Sequence, residues 1–428
     1  MVTTNVFGQG AQHLEPALEK LDAWIENEEF RGWDPHDALN GPLLRRIAGD
    51  NRLIGMALVQ CLRRCPVNLR PLLGVHKGHN PKAMGLFLAC YTQKFVSSRE
   101  EAHRRKIVAL SDWLIEHASR GYAGPCWGYN FDWPNRAFLA PAGTPTIVNT
   151  AFVALSFLGA DHILNDSKDL PRANRSVHGG LSEIALNIDG LSVARRACDF
   201  ILRDLNVFRP SDSEICFSYT PLDHRFVHNA NVLGAWLLAA VYARTGESQL
   251  AEHARAAARF TVSKQKSDGS WPYGIGERDQ WVDNFHTGYV LVAIKRIGQF
   301  LQTDEFDTST SKGYMFWKER MFLDNLVPKY YPNQMYPIDV HSVAQAILTY
   351  LEFSDVDPLA LERAEQLSKW AIEHLQDPKG FFHYQIHRLY RVRIPYMRWG
   401  QAWMQLALTK LISNSYAADS LRKASASV

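Results

Sequence analysis

Asp268-Gly-Ser-Trp-Pro-Tyr273-Gly, followed by Trp281-Val-Asp283-Asn-Phe-His286-Thr-Gly-Tyr-Val-Leu, decides how the rest of the chain is read. A glycine turn presents two aromatic rings. A little further on, Asp and His stand where an apolar helix begins. Weaker versions recur at Cys126-Trp127-Gly-Tyr-Asn-Phe-Asp132-Trp133, Cys216-Phe-Ser-Tyr219, Tyr330-Tyr331-Pro and Lys379-Gly-Phe-Phe-His-Tyr384. Recurrence of this kind is the mark of a repeat architecture.

Between these turns two kinds of helical segment alternate. Residues 147–164, 229–243, 285–301, 340–353 and 398–412 are apolar nearly all round. Residues 100–119, 182–206, 248–265 and 358–376 carry one apolar stripe. A helix apolar on every side is buried, and a one-sided helix lies outside it. With segments at 12–27, 42–64, 82–95 and 309–321, the pattern predicts an all-α chain of about twelve helices in two concentric rings. This is a single (α/α)6 toroid over 1–412 with a flexible tail at 413–428. The aromatic turns precede the inner helices, so the turns and the inner N-termini gather at one mouth. Ser98-x-x-Glu101 reads as a capping box, and Asp357-Pro358 as an N-cap followed by Pro at the first helical position. Residues 165–180 read as a surface insertion.

Composition excludes several classes. A formal charge of +3 is too small for a nucleic-acid partner, and Arg45-Arg46, Arg63-Arg64 and Arg104-Arg105-Lys106 read as solvated helix faces. No apolar run is long enough to span a membrane, and no leader pattern opens the chain, so a cytoplasmic protein is expected. The six cysteines are irregularly spaced. Cys61 and Cys65, with His76 and His79 beyond, read as packing rather than a zinc site, and no metal or cofactor is expected. The 12 Trp, 16 Tyr and 21 Phe suit a core, and also a cleft in which rings stack on sugar C–H faces.

Gln265…Gly269-Ser-Trp271, preceded by Arg255 and Phe260, resembles the Gln…Gly-x-Trp repeat of the terpene cyclase and protein prenyltransferase toroids. Gln376…Gly380-Phe-Phe382 is a weaker copy. The resemblance implies a packing device that joins outer helices to turns. It carries no reaction, because the same toroid hosts glycoside hydrolases, polysaccharide lyases and sugar epimerases. Trp127-Gly-Tyr-Asn-Phe-Asp-Trp and Trp281-Val-Asp-Asn-Phe-His-Thr-Gly are similar to toroid proteins of bacterial polysaccharide clusters. The acidic motifs of terpene cyclases are missing: Asp355-Val-Asp357-Pro reads as a helix cap. The zinc ligands of prenyltransferases have no counterpart either.

Convergence of the inner N-termini would gather Tyr219, His228, Tyr273, Asp283, His286 and His341 as catalytic candidates. Trp127, Asp132, Arg136, Asn149, Asn229, Asp339, Tyr384 and Arg398 would bind substrate, with Asn231 nearby. Asp and Asn at helix starts also cap free N–H groups, but capping requires neither His nor Tyr. The inventory suits proton abstraction beside a uronate carboxylate, by a lyase or C5-epimerase, with His or Tyr as base and Arg or Asn stabilising the enolate. Glycoside hydrolysis by an inverting pair of carboxylates, Asp283 with Asp132 or Asp339, is the alternative. A terpene cyclase-like enzyme without the usual Asp motifs and a non-catalytic glycan-binding toroid complete the set. The expected partner is an oligosaccharide or a lipid-linked glycan.

Overall fold

The computed structural model describes residues 8–135, 139–166 and 189–426, with side chains described from 14 to 416 within those limits. Fourteen α-helices occur among the described residues. Six form the inner ring: α4 (Pro81–Ser98), α6 (Ile147–Asn165), α8 (His228–Thr245), α10 (Asn284–Leu301), α12 (Val340–Glu352) and α14 (Ala402–Ala426). Each contacts the next, and α14 closes the ring against α4. The outer ring is α1 (Gly8–Asn27), α5 (Glu101–Glu116), α7 (Gly190–Arg203), α9 (Ser248–Ser263), α11 (Asp307–Arg320) and α13 (Ala360–Leu375). The expected (α/α)6 toroid is therefore present. α6 is long and apolar enough to cross a membrane by length and composition, and 72% of that stretch is buried inside the rings.

The repeat motif works as a tie. Gln265 donates from Nε2 to the carbonyls of Gly269 and Ser309, both at 2.9 Å, stitching the end of α9 to α11. Gln376 does the same to Gly380 (2.9 Å) and Ala17 (2.8 Å), joining α13 to α1 and closing the outer ring. Gly269 and Gly380 have φ of +93° and +104°. A Cβ on either would also meet a backbone oxygen, of Lys312 at 2.6 Å or of Lys20 at 2.2 Å. Both reasons demand glycine. Trp271 donates to Thr261 O at 2.9 Å and Trp127 to Leu114 O at 2.8 Å, so each ring pins its turn onto the preceding outer helix.

Side chains cap four inner helices: Asn80 on α4, Thr146 on α6, Asp283 on α10 and Asp339 on α12. Each satisfies N–H groups that the helix leaves without an internal partner. Ser98 forms no capping box. α4 runs through it to Arg99, which takes a left-handed conformation, and the α5 start has no side-chain cap. The expected helix over 42–64 is two helices, α2 (Pro42–Ala48) and α3 (Arg52–Arg64). Gly49 at φ +52° ends the first and Asn51 caps the second. Residues 167–188 lie outside the described residues, with the expected insertion and the start of the 182–206 helix; α7 begins at a cap on Asp189. The last helix passes its expected end at Ile412 and continues to Ala426.

The turns at the mouth hold short antiparallel pairs: β1 (Trp133–Pro134) with β2 (Leu139–Ala140), β3 (Val207–Ser211) with β4 (Glu214–Phe217), and β5 (Phe322–Leu323) with β6 (Val327–Pro328). A three-stranded patch joins β7 (Ile338–Asp339), β8 (Gln385–Ile386) and β9 (Arg391–Val392). Residues 28–80, between α1 and α4, carry α2 and α3 as a cap with its own small apolar core. A buried latch fixes this cap to the ring. Arg398 donates to both oxygens of Asp34, at 2.5 and 2.7 Å, and Arg70 donates to Asp37 (2.7 Å) and to Asp34 O (2.9 Å). A bidentate pair of this kind fixes direction as well as distance.

Candidate active site

Three inner helices open with a histidine near their N-termini, and each histidine meets a different environment. On α10, Asp283 Oδ1 accepts from His286 N (3.0 Å), while Oδ2 faces His286 Nδ1 at 2.7 Å and accepts from Trp281 Nε1 at 3.1 Å. A carboxylate only accepts, so Nδ1 carries the hydrogen, and in the neutral imidazole Nε2 keeps its lone pair. Nε2 has no hydrogen-bond partner among the described residues, and the His286 side chain is 23% exposed. The ring lies between Tyr273 (4.7 Å), itself stacked on Trp281 at 4.5 Å, and Phe285 (4.1 Å).

On α12, Asp339 accepts from His341 N at 2.8 Å, but the ring turns away from it. His341 Nδ1 donates to Trp399 O at 3.0 Å, and Nε2 accepts from the Tyr289 hydroxyl at 2.5 Å. Burial, with Lys82 nearby, holds His341 well below the ordinary histidine value, so it stays neutral. Asp339 is buried, bonded to Gln385 and Trp399, and raised from its ordinary value by burial. On α8, His228 is buried against Phe260 with neither ring nitrogen partnered, and burial lowers it to about 4. Together with Asn229, Tyr273, Asp283 and His286 it borders a cavity of about 10 Å³, the space of one water centre.

The mouth is an aromatic cleft. Tyr129, Trp133, Tyr273, Trp281, Tyr330 and His36 keep part of their surface accessible. Burial nevertheless raises the phenols of Tyr129, Tyr273 and Tyr330 and lowers His36 to about 4. Groups recessed in protein yet open to solvent line a cleft. Tyr219 lies in its wall, 3.2 Å from Tyr129 hydroxyl to hydroxyl and 5.2 Å from the Trp133 ring. Arg398 sits over Tyr129 (5.0 Å) and Trp399 (5.3 Å) within a π-helical turn at Met397–Gln401. It is neutralised by Asp34, which the guanidinium holds well below the carboxylate range against the opposing effect of burial. Beneath lies Lys82, with Nζ at 4.5, 5.4 and 5.2 Å from the Phe152, Tyr289 and Trp403 rings. Burial, then Arg398, pushes its ammonium well down.

The remaining expected residues divide. Tyr384 belongs to the mouth: its hydroxyl accepts from Arg63 Nε at 2.7 Å. Asn149 is buried with neither side-chain polar atom partnered, and Asn229 Oδ1 is likewise free. Trp127 is architectural, and so is Asn231, which binds Phe217 N, Ala257 O and Thr261. Asp132 accepts from Ala142 N and pairs with Arg45 at 3.1 Å, held in its own turn and against α2. Arg136 lies outside the described residues.

Sequence reasoning missed Arg63. It is not part of a solvated face: α3 aims it into the mouth, 5.9 Å from the Trp399 ring. Its Nη groups have no hydrogen-bond partner among the described residues. The cap also brings His36, 5.7 Å from Trp399. Helical periodicity places Arg63 on a polar face and cannot say that this face meets another part of the chain. Tyr289 was within reach, since it lies on the same helical face as His286 at i+3.

The sequence matches no protein-family profile and no curated protein. Among solved structures it is similar to the cellobiose 2-epimerase of Bacillus thermoamylovorans B4167 (TM-score 0.58, 10% identity, 79% of this chain and 90% of that one). It is also similar to a D-mannose isomerase (0.57, 11%, 78% and 86%). A third is the unsaturated glucuronyl hydrolase of Bacillus sp. GL1 (0.55, 13%, 94% and 96%). At these identities the likeness is one of fold, and it is the (α/α)6 toroid that all share.

Proposed function

We propose that the protein is a carbohydrate-active enzyme that abstracts a proton beside the carboxylate of a uronic acid, as a lyase or C5-epimerase does. The observation that carries this reading is the open Nε2 of His286, oriented by Asp283 and set against Tyr273 in an aromatic cleft. An imidazole held by a carboxylate at one nitrogen and free at the other is suited to general-base work. The base takes the C5 proton, and the electron pair passes into the carboxylate. The enolate then either expels the O4 substituent or takes a proton back on the opposite face. Tyr273, kept protonated by burial and with a hydroxyl that makes no hydrogen bond among the described residues, can give its proton to the departing O4 oxygen in elimination or to the enolate carbon in epimerisation. The free edge of Arg63 matches a carboxylate in fork geometry and would stabilise the enolate.

Two-carboxylate hydrolysis finds less support. Asp283 is occupied in holding His286, Asp339 is buried under Gln385 and Trp399, and Asp34 is bound by Arg398. The names of the similar structures include epimerases and an isomerase of sugars as well as a hydrolase of unsaturated glucuronyl units, which favours a sugar ligand without choosing the reaction. Incubation with uronic-acid oligosaccharides tests the proposal. An unsaturated product seen by ultraviolet absorbance, or exchange of the C5 proton seen by NMR, is the expected result. Release of reducing ends with neither signal would move the assignment to hydrolysis.

A further inference from the structure

A large recess lies away from the mouth. It is a cavity of about 550 Å³ on the toroid axis, toward the C-terminal ends of the inner helices. Phe152, Tyr289 and Trp403, the rings that surround Lys82, form its inner end. Along α10 the lining runs from Tyr289 to Phe300, a depth of about 16 Å at 1.5 Å per residue. Phe152, Leu155, Leu158, Trp236 and Leu348 keep accessible surface although their helices are innermost. Interiors are normally close-packed, yet small residues hold this one open: a Cβ added at Gly159 would meet nothing within 4 Å. Both lining indoles, Trp236 and Trp403, have buried N–H groups without an acceptor.

The outer end of the cavity is charged. Arg244 is paired with Asp161 at 2.9 Å, and Arg296 with Glu352 at 2.6 Å. Lys410 has no ion pair or hydrogen bond among the described residues. It is exposed by area, but burial and then Arg296 lower its ammonium, as befits a cation that faces a recess rather than bulk water. Within the lining itself three cations, Arg244, Arg296 and Lys410, face one carboxylate, Glu352, while Asp161 and Asp189 stand behind Arg244.

We infer that this axial cavity binds a linear apolar chain with a single anionic head, the chain against the aromatic end and the head at Lys410 and Arg296. The volume lies in the range of small-ligand sites, roughly 300–1,000 Å³. The site is separated from the mouth by the ring layer and does not depend on the reaction proposed there.

The test is tryptophan fluorescence of the full chain titrated with dodecanoate, dodecyl phosphate and dodecanol below micelle formation. Saturable binding of an anionic probe is expected, with dodecanol weaker by about tenfold or more. The tighter of the two anions identifies the head as carboxylate or phosphate. Gly159→Phe, which fills the cavity from an unobstructed position, should abolish binding. Lys410→Ala, at an exposed side chain, should weaken the anions by about tenfold and leave dodecanol unchanged. Absence of saturable anion binding would overturn the inference. Equal affinity for dodecanol, or anion binding indifferent to both substitutions, would overturn it as well.

Discussion

Asp283–His286 on α10 and Asp339–His341 on α12 begin from the same idea in sequence, a capping aspartate followed by histidine on an inner helix, and they end in opposite states. At α10 the spacing is i,i+3, so one carboxylate caps the helix and holds the imidazole, leaving Nε2 toward the cleft. At α12 the spacing is i,i+2. The carboxylate caps the helix and turns to Trp399 and Gln385, while the imidazole is sealed between Tyr289 and a backbone carbonyl. One residue of spacing separates an imidazole with an open nitrogen from one sealed into a hydrogen-bond relay.

His286→Asn breaks the comparison at its functional end and should have the largest effect. Turnover of a uronate substrate should fall by about 10²–10⁴, with the circular dichroism melt unchanged. Asp283→Asn sharpens it: Asn caps a helix as well as Asp, but its amide no longer fixes the His286 tautomer. A loss of kcat of about 10² or more, with KM nearly unchanged, is expected in steady-state kinetics. Arg63→Met should raise KM for a uronate substrate by about tenfold to a hundredfold, the value of charge-assisted hydrogen bonds. Binding of a neutral oligosaccharide, measured by calorimetry, should be unaffected.

At the sealed end, His341→Leu should act on stability. It strands the Tyr289 hydroxyl and the Trp399 carbonyl, and denaturant titration should show a loss of about 1–3 kcal/mol, with activity per folded molecule retained. A further effect, confined to acid, concerns pH. His36 and His228 are lowered to about 4, so below the unfolded value of about 6.5 the unfolded chain binds protons that the folded one refuses. Stability should therefore decline as pH falls from about 6.5 to about 4. His228→Phe should recover up to about 3 kcal/mol of that acid loss and change nothing at pH 8. Urea unfolding at the two pH values checks it.

The two rings were legible in the sequence because burial writes itself into periodicity: α6, α8, α10 and α12 are apolar all round, and α9 and α13 are not. Gln265, Gly269 and Trp271 were legible because a tie of fixed geometry needs fixed residues. Asp283 and His286 stood out as a pair. The cap did not. Asp34 and Arg398 lie 364 positions apart, and Arg63 and Tyr384 lie 321 apart, and no local pattern encodes such encounters. The break at Gly49 was hidden for a different reason, since α2 and α3 keep nearly continuous helical periodicity across it. Nor does periodicity report that an axis is left unfilled, as it is beside Gly159.

The most direct test is proton exchange. Wild type, His286→Gln and His341→Gln would each be incubated with a uronic-acid oligosaccharide in D2O, and deuterium at C5 followed by NMR or mass spectrometry. Exchange, or elimination of the C5 proton, by the wild type and by His341→Gln, with none by His286→Gln, is the result predicted here. Undiminished exchange by His286→Gln would contradict it and remove His286 from the role of base.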